Sequence, residues 1–150
     1  MGSIGVNTGR ITTTQLGKLL TGDVARGYTG AVSDRGGVPD RLFIDNEGGR
    51  GGFTINMSGV SQSTRNAFLR ALRGRAGTDN PQSAYNRAYR EQVALNANRA
   101  YPMPEATMRR IAEEARERVA RNVVSGVISN NSRFRGIRIN NRINRNRVNG

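Results

Sequence analysis

Residues 41–57 read RLFIDNEGGRGGFTINM, and this stretch decides the fold class. Arg41 to Asp45 (RLFID) and Phe53 to Met57 (FTINM) are rich in β-branched and aromatic residues. The linker between them, Asn46 to Gly52 (NEGGRGG), holds too much glycine to continue either segment, so the stretch reads as a β-hairpin with a glycine-rich tip. Phe53, Ile55 and Met57 alternate with Thr54 and Asn56, which gives the second strand one apolar face. Leu42 and Ile44 supply the matching face of the first strand.

Downstream the apolar period changes from two to nearly four, and three helices are expected. The first is capped by Ser61 or Ser63, carries Ala67, Phe68, Ala71 and Leu72 opposite Arg65, Arg70 and Arg73, and ends at Gly74 to Gly77. The second opens at Asn80-Pro81, a capping residue followed by a first-turn proline, and runs to about Ala100. Its Tyr85, Tyr89, Val93 and Ala97 recur every four residues, a pattern that belongs to a core-facing stripe before it belongs to a base-stacking platform. The third spans Pro104 to about Val124, with Met108, Ile111, Ala112, Ala115, Val119 and Val123 as an apolar seam. Arg110-Glu114-Arg118, Arg109-Glu113 and Glu117-Arg121 stand at the four-residue spacing of helical ion pairs.

Upstream, residues 1–40 are rich in Gly, Thr, Ser and Asp, with one short helical candidate from about Thr14 to Leu20. The remainder is expected to be an irregular arm. Residues 130–150 hold six arginines, seven asparagines and no acid. Such a polycation has few apolar anchors with which to offset its ordering entropy. Within it only Phe134 to Ile139 (FRGIRI) is strand-like, given a free sheet edge. The expected class is therefore α+β: a short hairpin plus about three helices over 41–129, an extended arm over 1–40 and an arginine-rich tail over 130–150. Both ends are expected to take their shape from partners.

Charge climbs along the chain to a net +13. Only one of the 24 basic residues, Lys18, is a lysine. Arginine presents a planar fork that grips phosphate or carboxylate with two hydrogen bonds, so the bias suits desolvated contacts with anions. The candidate contact residues for a nucleic acid or an acidic protein are Arg133, Arg135, Arg138, Arg142, Arg145 and Arg147, with Arg50 of the hairpin tip added. Gly48 to Gly52 (GGRGG) looks like a single unit of the RGG elements of RNA-binding proteins, but those come in arrays, so a plain hairpin tip whose glycines take positive φ is the favoured reading.

Catalytic equipment is scarce. There is no cysteine and no histidine, which removes thiolate chemistry, the commonest general base and the commonest transition-metal ligand. The sequence around Lys18 (LGKL) lacks the upstream glycine and the hydroxyl of a phosphate-binding loop, and no GxSxG motif is present. Asp40, Asp45 and Glu47 follow no calcium-loop register, and Glu113, Glu114 and Glu117 each have an arginine at helical spacing, which makes them a salt-bridged face. No catalytic residue, metal site or cofactor is assigned. No apolar run reaches the roughly 20 residues of a membrane span, and no signal peptide is evident, so membrane contact is not expected.

In general style the chain resembles small virion proteins of tailed bacteriophages, of the connector, cement or internal type. The resemblance rests on the tail RINNRINRNRVNG (Arg138 to Gly150), on Phe53 to Leu72 as a strand followed by a helix, and on the long charged helix from Pro104 to Val124. It implies a non-enzymatic structural protein in a virion, made in the host cytoplasm. Such a protein is present in many copies in a ring or shell, contacts other virion subunits, and turns arginines toward packaged DNA or RNA. The alternative is a free cytoplasmic nucleic-acid-binding protein of nucleoid, ribosomal or regulatory type.

Overall fold

The computed structural model describes residues 9–22, 37–48, 51–77 and 80–141. They form a four-stranded mixed sheet and four α-helices, so the α+β class holds. The hairpin is its centre: β2 (Arg41–Asp45) runs antiparallel to β3 (Phe53–Asn56) with Leu42 opposite Ile55 and Ile44 opposite Phe53. Those four side chains and Met57 are almost wholly sealed from solvent, as the alternation demands.

Two strands outside the expected hairpin complete the sheet, giving the order β1-β2-β3-β4. β1 (Arg10–Thr12) lies parallel to β2, and such neighbours need a crossover, which α1 (Thr13–Thr21) begins. Thr12 caps α1 by accepting from Gln15 N, while Gln15 Oε1 accepts from Thr12 N, and Gly22 closes the helix at φ 92°. β4 (Arg138–Asn141) pairs antiparallel with β3, Ile139 opposite Ile55. Only Arg138 and Ile139 of FRGIRI join this strand, which runs on to Asn141, and Phe134 to Ile137 form the turn that leads into it.

Three helices follow β3, as expected: α2 (Gln62–Leu72), α3 (Pro81–Asn96) and α4 (Glu105–Ser129). Ser61 caps α2 through Thr64 N, and Asn80 caps α3 through Gln82 N and Ser83 N ahead of Pro81. α3 stops four residues before the expected end, because Asn96 turns its amide to the backbone of Met103 and closes the α3–α4 connection. α4 runs past Gly126 to Ser129. Val127 packs into the core there, and tertiary burial outweighs the cost of a helical glycine.

The core lies between one face of the sheet and α1, α2 and the C-terminal half of α4. Leu16, Leu20, Phe53, Phe68, Leu72 and Val124 are among its large sealed side chains, and Phe68 meets Phe134 edge-on with ring centres 5.3 Å apart. The turn after α2 seals the end of α1: Gly74 N donates to Leu19 O and Ala76 N to Leu20 O, satisfying carbonyls the helix leaves open.

Two expectations about the ends need correction. The short helix expected from about Thr14 to Leu20 forms as α1, but with β1 it belongs to the folded unit and not to an arm, because Ile11, Leu16, Leu19 and Leu20 are buried in the core. Residues 131–141 of the proposed tail also belong to the folded unit. Phe134 and Ile137 are 2% and 3% exposed and anchor a short 3-10 turn (Ser132–Phe134) ahead of β4. The wider claim for residues 1–8, 23–36 and 142–150 lies outside the described residues.

Candidate nucleic-acid interface and the groove beside α4

Strand alternation fixes which arginines share a surface. Leu42, Ile55 and Ile139 face the core, so their neighbours Arg41, Asn56 and Arg138, opposite one another across three strands, occupy the sheet face away from the helices. Arg41 and Arg138 are exposed and Asn56 is half-buried. On the same face Arg10 stacks 4.9 Å above the ring of Phe43 and forms a 2.9 Å ion pair with Asp45. Arg133 and Arg135 flank the buried Phe134 and point to solvent. The structure thus gathers Arg138 with Arg41, a residue the sequence reading did not select, and places Arg133 and Arg135 in the turn that leads to them. Arg50, Arg142, Arg145 and Arg147 lie outside the described residues.

Across the described residues arginine far outnumbers its partners. Of seventeen arginines, only Arg10, Arg109, Arg116 and Arg121 have a carboxylate oxygen within 4.0 Å. Thirteen do not. Arg110 and Arg118 are among them, so the expected Arg110-Glu114-Arg118 ladder does not close, and Arg109 pairs with Glu105 at 2.8 Å instead of Glu113. The expected Glu117–Arg121 pair forms.

A groove of about 1120 Å³ separates the hairpin connection from α4. Its acids act as struts. Glu117 Oε1 accepts from Asn46 Nδ2 at 3.0 Å and from Gly52 N at 3.2 Å, while its Oε2 accepts from Arg121. Glu113 Oε2 accepts from Arg116 at 3.2 Å, and its Oε1 takes a long 3.4 Å bond from Glu47 N. Each carboxylate therefore has both oxygens engaged, Oε1 on the β2–β3 connection and Oε2 on an arginine of α4 itself. Gly52 is required in this arrangement: at φ 100° a Cβ would lie 2.2 Å from Ile44 O. Gly51 and Gly52 both take positive φ, as the hairpin-tip reading of GGRGG expects, while Gly49 and Arg50 lie outside the described residues.

Arg116 is the residue that sequence reasoning missed. The buried stripe of α4 is Met108, Ala112, Arg116, Ala120 and Val124, so the arginine fills one step of the seam. The side chains of Ile111, Ala115, Val119 and Val123, assigned to the seam, are only half-buried. Arg116 is 6% exposed, with its guanidinium carbon 4.2 Å from the ring centre of Tyr85. Nη2 donates to Gln82 Oε1 at 3.3 Å. A basic residue at four-residue spacing between Ala112 and Ala120 was the signal available.

Tyr85 and Tyr89 are half-buried between α3 and α4, with parallel rings 6.4 Å apart. Tyr89 donates to Glu105 Oε2 at 2.7 Å, and Arg109 Nε donates to the same oxygen. Giving up that hydroxyl proton beside a carboxylate raises the Tyr89 pKa above 10.0. Accepting from Tyr89 and then from Arg109 lowers Glu105 below 4.5, and Glu105 in turn raises Arg109.

Among the described residues no group of three or more Asp or Glu side chains is placed to hold a metal ion, and no helix is long and apolar enough to cross a membrane. The described residues define a small basic α+β protein in which Glu113 and Glu117 brace the β2–β3 connection and most arginines are exposed. No protein-family model matches the chain, and neither a curated protein nor a solved structure matches it.

Proposed function

We propose that this is a non-catalytic assembly protein of virion type, packing in many copies and turning its arginines toward packaged nucleic acid or an acidic neighbour. The observation that carries this reading is the set of thirteen described arginines with no carboxylate within 4.0 Å, most of them exposed. A surface with that excess of cation has a standing demand for anionic partners. The engaged oxygens of Glu113 and Glu117, in a chain without histidine or cysteine, support the non-catalytic part.

One further observation favours assembly over a free nucleic-acid-binding protein. The exposed large apolar side chains of the described residues, Val93 (45%), Leu95 (53%) and Tyr101 (91%), all lie at the far end of the α3–α4 hairpin, away from the core. Exposed apolar groups gathered in one place mark contacts between proteins.

Sedimentation velocity and oligonucleotide binding over a salt series test the reading together. The expected outcome is concentration-dependent association that weakens in Leu95→Ser/Tyr101→Ser, together with binding whose log–log salt slope drops by about 1.5 in Arg41→Gln/Arg138→Gln. A strict monomer that binds oligonucleotides with a steep slope would favour the free binder, and absence of both behaviours would remove the proposal.

A further inference from the structure

A slot of about 100 Å³ lies between α1 and the first turn of α3. Thr13, Thr14, Gly17, Lys18 and Thr21 line it from α1, at spacings of three and four that keep them on one side of the helix. Gly17 faces Pro81 across the slot, where a Cβ would stand in ordinary contact at 3.5 Å from Pro81 Cβ. The opposite wall is Asn80 to Gln82 with Arg116.

Two groups in this wall are buried and lack a hydrogen-bond partner: the hydroxyl of Thr13, a residue 0% exposed, and Nε of Arg116, 6% exposed. Arg116 cannot swing to satisfy that donor, because Nη1 is held by Glu113 and Nη2 by Gln82. Lys18, the chain's only lysine, stands at the same slot and forms no ion pair within the described residues. No acidic residue lines the slot, and α3, 16 residues long, directs its positive end there. Water fits the space but leaves Lys18 and the helix dipole without a counter-charge, and brings no anion to Arg116 Nε and the Thr13 hydroxyl.

We infer that the slot binds a tetrahedral oxyanion of phosphate size, with Lys18, Arg116 Nε and the Thr13 hydroxyl as its donors. The anion is either free phosphate or a backbone phosphate of a nucleic acid. The inference stands apart from the assembly reading, since a free phosphate site needs no subunit contact.

The test is a titration of inorganic phosphate at constant ionic strength, followed by backbone amide shifts. Saturable shifts confined to Thr13–Thr21 and Asn80–Gln82 are expected, with affinity about tenfold weaker in Lys18→Gln and in Thr13→Val. Exposed Arg70→Gln on α2 should leave the affinity unchanged. Thr13→Val also gives a fold-independent readout: without phosphate it should melt at or above the parent temperature, having lost an unpartnered hydroxyl, and below it at saturating phosphate. Absence of saturable shifts, an affinity unchanged from the parent in Lys18→Gln or Thr13→Val, or an equal loss in Arg70→Gln would each overturn the inference, the last by showing diffuse condensation on the basic surface. An oligonucleotide without terminal phosphates that shifts the same amides assigns the site to backbone phosphate. One that shifts only other amides assigns it to the free ion.

Discussion

At the sheet end of the molecule, Phe53, Phe68, Leu72 and Val124 are fully sealed by contacts from β3, α2 and α4, whereas at the far end of the α3–α4 hairpin Leu95 and Tyr101 are 53% and 91% exposed. The far end is instead clasped by polar groups. Asn96 exchanges two hydrogen bonds with the backbone of Met103, at 3.1 and 2.5 Å, and Tyr89 and Arg109 share one oxygen of Glu105. Burial of apolar area couples every element that touches it, while a hydrogen-bonded clasp secures only the residues it joins. The molecule should accordingly open at the hairpin end well before the sheet gives way.

Substitutions at the two ends test that contrast. Phe53→Ala or Phe68→Ala should cost about 3–5 kcal/mol of global stability, read from denaturant unfolding, because the removed ring leaves a cavity that a sheet and helices cannot collapse around. A loss below about 1 kcal/mol would mean that the two ends are held alike. Next comes Glu117→Gln, which weakens three hydrogen bonds spanning β2, β3 and α4. About 2 kcal/mol is expected, with faster amide exchange at Gly52.

Asn96→Ala should cost about 1 kcal/mol. More tellingly, hydrogen exchange should accelerate between Val93 and Met108 and remain unchanged in β2 and β3. Uniform acceleration would break the distinction. The smallest effect is Tyr89→Phe, read as pH dependence. Glu105 has a lowered pKa in the folded chain, so its contribution is present above its ordinary value of 4.5 and fades as pH falls through the folded value. Tyr89 is raised, so its contribution is present below 10.0 and fades as pH climbs through the folded value. Exchange at the hairpin end should therefore quicken toward both extremes in the parent protein. In Tyr89→Phe the alkaline limb attributable to the phenol should vanish and the acid limb should shrink, since Arg109 still holds Glu105.

What the sequence made legible divides along the same line. Strand alternation exposed the β2–β3 register, and Ser61 and Asn80-Pro81 marked two helix starts, because each of those signals is local. β1 escaped notice because three residues are too few to show a period, and their pairing partner lies 33 positions away, Arg10 beside Phe43. The α4 stripe shifted because Arg116 is buried by partners on α3 that no helical wheel contains. Glu117 looked like half of a surface ion pair, and its bonds to Asn46 and Gly52, 71 and 65 positions distant, give it the larger role. Of the selected arginines, Arg133, Arg135 and Arg138 proved to sit on folded structure, and Arg41 joined them through strand register alone.

The strand order carries a mechanical consequence. β1 and β4 are the two outer strands, and one rung of the ladder runs Arg10–Phe43–Thr54–Asn140 straight across the sheet. A tug applied between Arg10 and Asn141 therefore acts crosswise, peeling rungs in succession instead of shearing all of them at once. Tethered by these two points, the folded unit would yield like a zipper to small loads, and tension between them would have to be carried through other contacts.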